Sequence, residues 1–286
     1  MKRLIIFLLT FLSLIIPIKT KAFIPNFYLP NEENLKKTSQ YLAKGAYQFL
    51  LYEQPKEALR FAKLALSLNP NDVILYAIMA ETLIANKEEE EALIYIKKGK
   101  KINPQQAELW FLESSILLKK KLYKESIKSV KEGLNYSPKN INAIFQLGNL
   151  YLITNNHKKA ITEFRKAFNI NNSFWQALNN EGLAEFELKN YSKCKQLFYR
   201  AMEISKDAEP TLALATTYFK LGEKQEESFS LVKEALNKNP NYVNHFFRKE
   251  QLWGKNIEEA TKLLINSKSL NKYVIKAKKA SNYEKK

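Results

Sequence analysis

"INAIFQLGNLYLITNNHKKAITEFRKAFNINNSF", residues 141–174, carries the organisation of this chain in 34 residues. Ile144, Leu147 and Tyr151 recur at spacings of three and four, the spacing of one helix face. After a polar break at "TNN", Ala160, Phe164 and Ala167 take up the same spacing. The stretch therefore reads as two amphipathic helices joined by a short turn. Gly148, Ala160 and Ala167 are small where the two helices must face each other, which allows their backbones to approach closely.

The same register runs through the rest of the chain. Pro70, Pro104 and Pro138 are 34 residues apart, and Pro240 lies 102 residues, three further periods, beyond Pro138. Asn172 and Lys206 fill the intermediate slots. Setting this slot at position 32 gives six units that begin at Ser39, Val73, Ala107, Ile141, Trp175 and Glu209. Position 8 is then Ala46, Ala80, Ser114, Gly148, Gly182 and Thr216. Position 20 is Ala58, Ala92, Ser126, Ala160, Cys194 and Ser228, and position 27 is Ala65, Gly99, Gly133, Ala167, Ala201 and Ala235. All are small, while position 4 is bulky throughout, from Leu42 to Leu212. A period of this length signals stacked repeats.

These positions resemble the tetratricopeptide repeat family, whose units place a bulky residue, Leu, Gly or Ala, Tyr, Ala, Phe, Ala and Pro at 4, 7, 8, 11, 20, 24, 27 and 32. The departures are Glu113 and Glu181 at position 7, Glu185 at position 11 and Ala62 at position 24. The resemblance implies an all-α fold: a right-handed superhelical solenoid of six helix–turn–helix units. The units would be 39–72, 73–106, 107–140, 141–174, 175–208 and 209–242. Residues 243–267 read as a degenerate capping unit that hides the last apolar face.

One stretch tests the register against local chemistry. "ALNNEGLAEFE", 177–187, contains Asn179-Asn180-Glu181-Gly182, which turn preferences assign to a loop. The repeat instead puts Leu178 and Gly182 at helix-packing positions, so a helix is expected, with Asn179 and Asn180 facing the groove.

The ends are read from composition. Lys2 and Arg3 precede the apolar run Leu4–Ile18, whose fifteen residues make a helix of roughly 22 Å, short of the roughly 30 Å hydrocarbon core. With Pro17 near its end and small residues before a cut after Ala22, residues 1–22 read as an export signal. The expected destination is the periplasm or a thylakoid lumen; the alternative is an uncleaved membrane anchor. Residues 23–38, with two prolines and three aromatics, read as an extended segment leaning on the first unit. The tail 268–286 holds seven lysines against Glu284 alone and reads as mobile, with contact to an anionic membrane surface as a second reading. The prolines and aromatics at the start, the array and "NYVNHFFRKEQLWG" (241–254) also resemble exported repeat proteins of cyanobacteria.

The chain carries 46 Lys and Arg against 29 Asp and Glu, a net +17, but only five of the cations are Arg. A lysine-dominated surplus is a poor match to bidentate phosphate recognition, so nucleic acid is not an expected partner. Cys194 has no second cysteine to pair with, and its register makes it a core thiol. His157 and His245 lack neighbouring ligands for a metal. Glu181 and Glu185, one turn apart, could form an acid–base pair, but edge carboxylates reaching solvent or a nearby lysine account for them. No phosphate loop or nucleophile–base pattern is present, and neither catalysis nor a cofactor is expected.

The resemblance places a partner on the concave face, lined by the first helix of each unit. Positions 2, 5, 9 and 12, with 6 and 13 beside them, give Phe111, Asn142, Phe145, Asn149, Gln176, Asn179, Asn180, Leu183 and Phe186 as candidate partner-binding residues in units three to five. Amides can donate to and accept from a peptide backbone, and phenylalanines supply apolar anchors. In peptide-binding relatives, asparagines in the slots of Asn149 and Asn180 hold the ligand chain; the alternative is that they bond to each other between repeats. The charged clamp that chaperone adaptors use is absent, since Phe145, Pro210, Leu214 and Ala43 occupy its slots. Lys44, Lys119 and Lys220 match Glu81, Glu108 and Glu187 in number, so the groove is expected to be near neutral. The expected partner is a segment of another protein, and the expected role that of a scaffold or assembly factor.

Overall fold

The computed structural model describes residues 30–283. The export-signal reading, the first part of the extended segment and the last three residues lie outside the described residues. In chain order the helices pair as α1 (Glu32–Leu51) with α2 (Pro55–Leu68), α3 (Val73–Ala85) with α4 (Glu89–Ile102), and α5 (Ala107–Lys119) with α6 (Tyr123–Tyr136). They continue as α7 (Ile141–Ile153) with α8 (His157–Ile170), α9 (Trp175–Glu187) with α10 (Tyr191–Ser205), and α11 (Ala208–Leu221) with α12 (Gln225–Lys238). Then follow a 3-10 turn (Pro240–Val243), α13 (His245–Glu250), α14 (Lys255–Ile265), a second 3-10 turn (Lys268–Leu270) and α15 (Asn271–Ala280). The described residues form an all-α solenoid in which each helix from α1 to α12 packs on its neighbours in the chain.

Local chemistry sets the helix boundaries. Side chains of Asp72, Asn140 and Asp207 accept from first-turn amides at 3.0 Å and start α3, α7 and α11. Within units one to five the inter-helix turn places Glu53, Lys87, Lys121, Asn155 and Lys189, all at position 15, in the left-handed region. Such a conformation costs a non-glycine residue roughly 1–2 kcal/mol, a cost that the packing of the two helices offsets.

That packing rests on the small positions. Ala46, Ala80, Ala58, Ala92, Cys194 and Ser228 are wholly buried, as are Ala65 and Ala167. Gly182 shows why: a Cβ added there would lie 2.5 Å from the ring of Phe198, itself fully buried on the paired helix. "ALNNEGLAEFE" is accordingly the body of α9, and Ala177 to Phe186 are all buried.

Three expectations are corrected at the ends. Residues 32–38 are helical rather than extended, because Asn31 accepts from Asn34 N at 2.8 Å and Glu32 and Glu33 suit the helix N-terminus. Much of the basic tail is α15, which with Leu270 just before it buries Val274 and Ala277 at helical spacing and packs against α12 and the first 3-10 turn. That turn and α15 share with residues 243–267 the cover of the last apolar surface of unit six. Helices α13 and α14 turn onto the concave side, where α14 packs against α9 and α11. Among the described residues no helix is long and apolar enough to cross a membrane.

Gly182→Ala should destabilise the chain by about 1–2 kcal/mol in urea denaturation. The overpacking cost of ~1–3 kcal/mol exceeds the ~1 kcal/mol helix gain of alanine. Adding Phe198→Leu should recover part of the loss, since the ring is the atom group in the way.

Candidate functional site: the concave face

The concave face is divided into two halves. Over units five and six it is filled by the chain itself. Ile257 and Leu264 of α14 and Trp253 join Leu183 and Phe186 of α9 and Leu212 of α11 in one buried cluster. The N-terminus of α14 has no side-chain cap of its own and is met by the Glu187 carboxylate at the end of α9. Asn256 N donates to Glu187 Oε1 and Oε2 at 3.0 and 3.1 Å, and Ile257 N donates to Oε1 at 3.2 Å. A carboxylate at a helix N-terminus satisfies unpaired amides and complements the helix dipole. The approach needs Gly254, where a Cβ would sit 2.4 Å from Glu187 Cδ.

A second carboxylate secures the same segment from below. Trp253 Nε1 donates to Glu209 Oε1 at 3.0 Å, and Asn179 and Tyr242 also donate to this carboxylate. Burial, the largest influence, with Asp207 adding to it, pushes the Glu209 carboxyl up to about 7 despite these donors. Burial and the neighbouring Glu209 likewise raise the Tyr242 phenol. The segment is braced internally by Arg248, whose Nε and Nη2 meet Glu258 at 2.8 and 2.9 Å while Nη1 donates to Tyr242 O at 2.6 Å. His245 Nδ1 lies 2.8 Å from the same carboxylate.

The candidate residues separate accordingly. Asn179, Asn180, Leu183 and Phe186, expected to face a partner, are buried under the C-terminal segment or inside the array. Asn180 Nδ2 donates to Asn149 Oδ1 at 2.9 Å, a bond between repeats, and Asn179 Nδ2 donates to Asn180 Oδ1 at 3.2 Å within α9. Phe145 packs at 4.9 Å from Phe174 and 5.5 Å from Phe164, and Phe111 is 7% exposed; both are largely core. Asn142 is exposed and Gln176 half-buried. Sequence reasoning placed Glu187 on the groove only as one of its charges and missed Glu209, Trp253 and Asn256. Only Gly254, just before the helical pattern of α14, hinted at a close approach.

Units one to four keep the other half open. Tyr47 and Ile74 are 51% and 54% exposed there, and Leu51 is exposed at the end of α1. A hollow of about 230 Å³ is lined by Glu108, Phe111, Ser115, Asn142 and Gln146. The expected balance is uneven along the face: among the described residues Lys44 is exposed on unit one without an ion pair. Lys119 pairs with Glu89 and Lys120 with Glu90, whereas neither Glu81 nor Glu108 has an ion-pair partner among the described residues. Partial burial raises both carboxyls, and Glu108 raises Glu81 further.

Glu181 and Glu185 do not form a solvent-facing edge. They are 4% and 3% exposed and share Arg165, with Nε 2.7 Å from Glu181 and Nη2 3.2 Å from Glu185. Lys193 joins both, and Asn190 donates to Glu185 at 2.7 Å. Burial raises the Glu181 carboxyl while Arg165 opposes the shift. The pair is an ion network locking α8 to α9 and α10. Cys194 is fully buried, and burial pushes its thiol up to about 12, so it carries no reactive thiolate.

A carboxyl raised by folding stabilises the folded state fully below its unfolded value of roughly 4.3, and that contribution is lost as pH rises through the folded value. Hydrogen exchange of α13 and α14 should therefore speed up, relative to the rest of the array, between about pH 4.5 and about pH 7. Glu209→Gln should flatten this profile.

The tetratricopeptide repeat models match residues 49–116, 107–140 and 141–174. No curated protein matches in sequence. Among solved structures the chain is similar to PilF of Pseudomonas aeruginosa, with a TM-score of 0.66 and 15% identity over 76% of this chain and 98% of that one. It is similar also to PilW, a widely conserved type IV pilus biogenesis factor, at 0.63 and 15% over 74% and 98%. YrrB, a TPR protein with an unusual peptide-binding site, aligns at 0.55 and 19% over 66% and 96%. At these identities the likeness is one of fold. Residues 49–174 thus carry tetratricopeptide repeats by the model matches, and the register of small positions and the paired helices that it builds continue the same organisation on either side.

Proposed function

We propose that this protein is a non-catalytic scaffold or assembly factor that binds a segment of a partner protein on the open concave face of units one to four. One observation carries the reading: the other half of the same face already holds polypeptide, the α13–α14 segment, by apolar burial plus carboxylate-to-N–H contacts. The open half offers the same ingredients unoccupied, in Tyr47, Ile74, Glu81 and Glu108. The fold it shares with YrrB, which has a peptide-binding site, is in keeping with this use. The contact region moves from units three to five toward the N-terminus, because the chain covers unit five. The proposed compartment lies beyond an export membrane, in a periplasm or a thylakoid lumen, with residues 1–22 removed on transit. In the latter setting the assisted assembly would be a photosynthetic complex.

A photo-activatable residue at Ile74 or Ser115 should crosslink a discrete partner in cells. The same residue at Leu64, exposed on α2, should not. Equal yields from all three would remove the groove from the reading.

A tethered form is the second reading, favoured by the lysines of α15 and the apolar run Leu4–Ile18. The intact mass of protein purified from its native membrane or lumen decides between them: loss of residues 1–22 is the expected result, and their retention would establish the tether.

A further inference from the structure

A cavity of about 650 Å³ lies where α13, α14 and the end of α15 meet. That volume falls within the range of small-molecule sites. Val243, Trp253 and Ile265 give it apolar walls. The Trp253 indole N–H is already engaged by Glu209, so only the ring is left for the cavity. Arg248 lines the same space and is 3% exposed. Of the five N–H groups of a guanidinium, Nε and Nη2 each give one to Glu258, and Nη1 gives one to Tyr242 O. One N–H on Nη1 and one on Nη2 remain without a partner among the described residues. A buried donor left unmatched is unfavourable, which favours an incoming acceptor. Lys249 of α13, Lys262 of α14 and Lys278 of α15 line the cavity as well, and none is in an ion pair among the described residues. Unpaired lysines are common on this chain. These three differ in that separate helices bring them to one cavity that also holds a buried arginine. The carboxylates of the lining are taken: Glu258 by Arg248 and His245, and Glu259 by Lys255 at 3.9 Å.

We propose that this cavity binds a small organic anion, a carboxylate or phosphate carried on an apolar body. Its charge faces Arg248, Lys249, Lys262 and Lys278, and its body lies against Val243, Trp253 and Ile265. The ligand has to bring acceptors, because the cavity presents free N–H donors while its own carboxylates are engaged; hydrogen bonds between ions are the strong ones. A neutral apolar molecule would leave the Arg248 donors unmatched, and a bare inorganic anion would leave the apolar walls unused. Every lining residue lies between 243 and 278, so the site is separate from the open groove of units one to four and does not rest on that reading. It has a consequence for the filled half of the groove. A ligand that joins α13, α14 and α15 favours the folded-back segment by mass action, and so tightens the closure over units five and six.

The test uses 1-pyrenebutanoate, an aromatic carboxylate, and its neutral counterpart 1-pyrenebutanol, followed by fluorescence anisotropy. Each is titrated with three full-length proteins: wild type, Lys249→Gln/Lys262→Gln/Lys278→Gln, and Lys63→Gln/Lys97→Gln/Lys128→Gln. All of these lysines are exposed, and the two variants lose the same charge, so general attraction for anions is matched. Unchanged thermal melts confirm that each variant is folded. Wild type should bind the carboxylate saturably, and the alcohol about tenfold or more weakly. The first variant should bind the carboxylate with a similar loss, while the second keeps the wild-type affinity. Bound carboxylate should also slow hydrogen exchange over residues 243–266 more than over units one to three. Equal affinity for acid and alcohol overturns the anionic assignment. Equal affinity in all three proteins, or an equal loss in both variants, overturns the site, as does the absence of saturable binding. Vesicles of phosphatidylglycerol distinguish a membrane headgroup from a free anion. Sedimentation with them that needs the same three lysines, while the free carboxylate does not bind, overturns the cavity in favour of a surface contact. The crosslinks from Ile74 judge the groove separately from every one of these results.

Discussion

Close approach between paired helices is the constraint on which the rest of this molecule depends. Where Gly182 faces Phe198, or Ala46 faces its paired helix, the contact leaves no room for a larger residue. That contact fixes the spacing of the two helices in a unit, and repetition every 34 residues fixes the stacking of units. A groove then follows without further instruction, because all first helices line the same side. The ion network of Glu181, Glu185, Arg165 and Lys193 strengthens one joint of the stack but does not create it.

The concave face is the functional consequence, and the chain uses half of it on itself. Residues 244–265 fold back along units five and six, where Glu187 caps a helix that brings no cap and Glu209 holds an indole. Burying a carboxylate such as Glu209 is unfavourable, and three donors answer that cost only in part, which leaves its affinity for a proton raised. The closure is thus built from apolar burial, with polar contacts that specify where the segment sits. Its position also determines which surface stays open: the face of units one to four, with exposed Tyr47 and Ile74.

Legibility followed the physics of each feature. The stretch "ALNNEGLAEFE" was read correctly as helix because the register supplied nonlocal information that turn preferences lack. Cys194 was read as buried for the same reason. Asn179 and Asn180, assigned by their register to the groove, are buried, and the segment that fills this half of the groove lies some seventy residues later in α14, as the Glu187–Asn256 contact shows. No periodicity links those positions. The basic tail misled because its lysines dominate its composition, while Leu270, Val274 and Ala277, spaced for one helix face, do the packing.

The sequence by itself determined the repeat, the helix pairs and the side of the array that forms a groove. These follow from local periodicity and from small residues at fixed intervals, which act between neighbours. Only the tertiary structure decided which half of the groove is free. That outcome depends on contacts between distant segments, apolar burial together with a carboxylate that meets two backbone amides, and no periodicity in the sequence marks them.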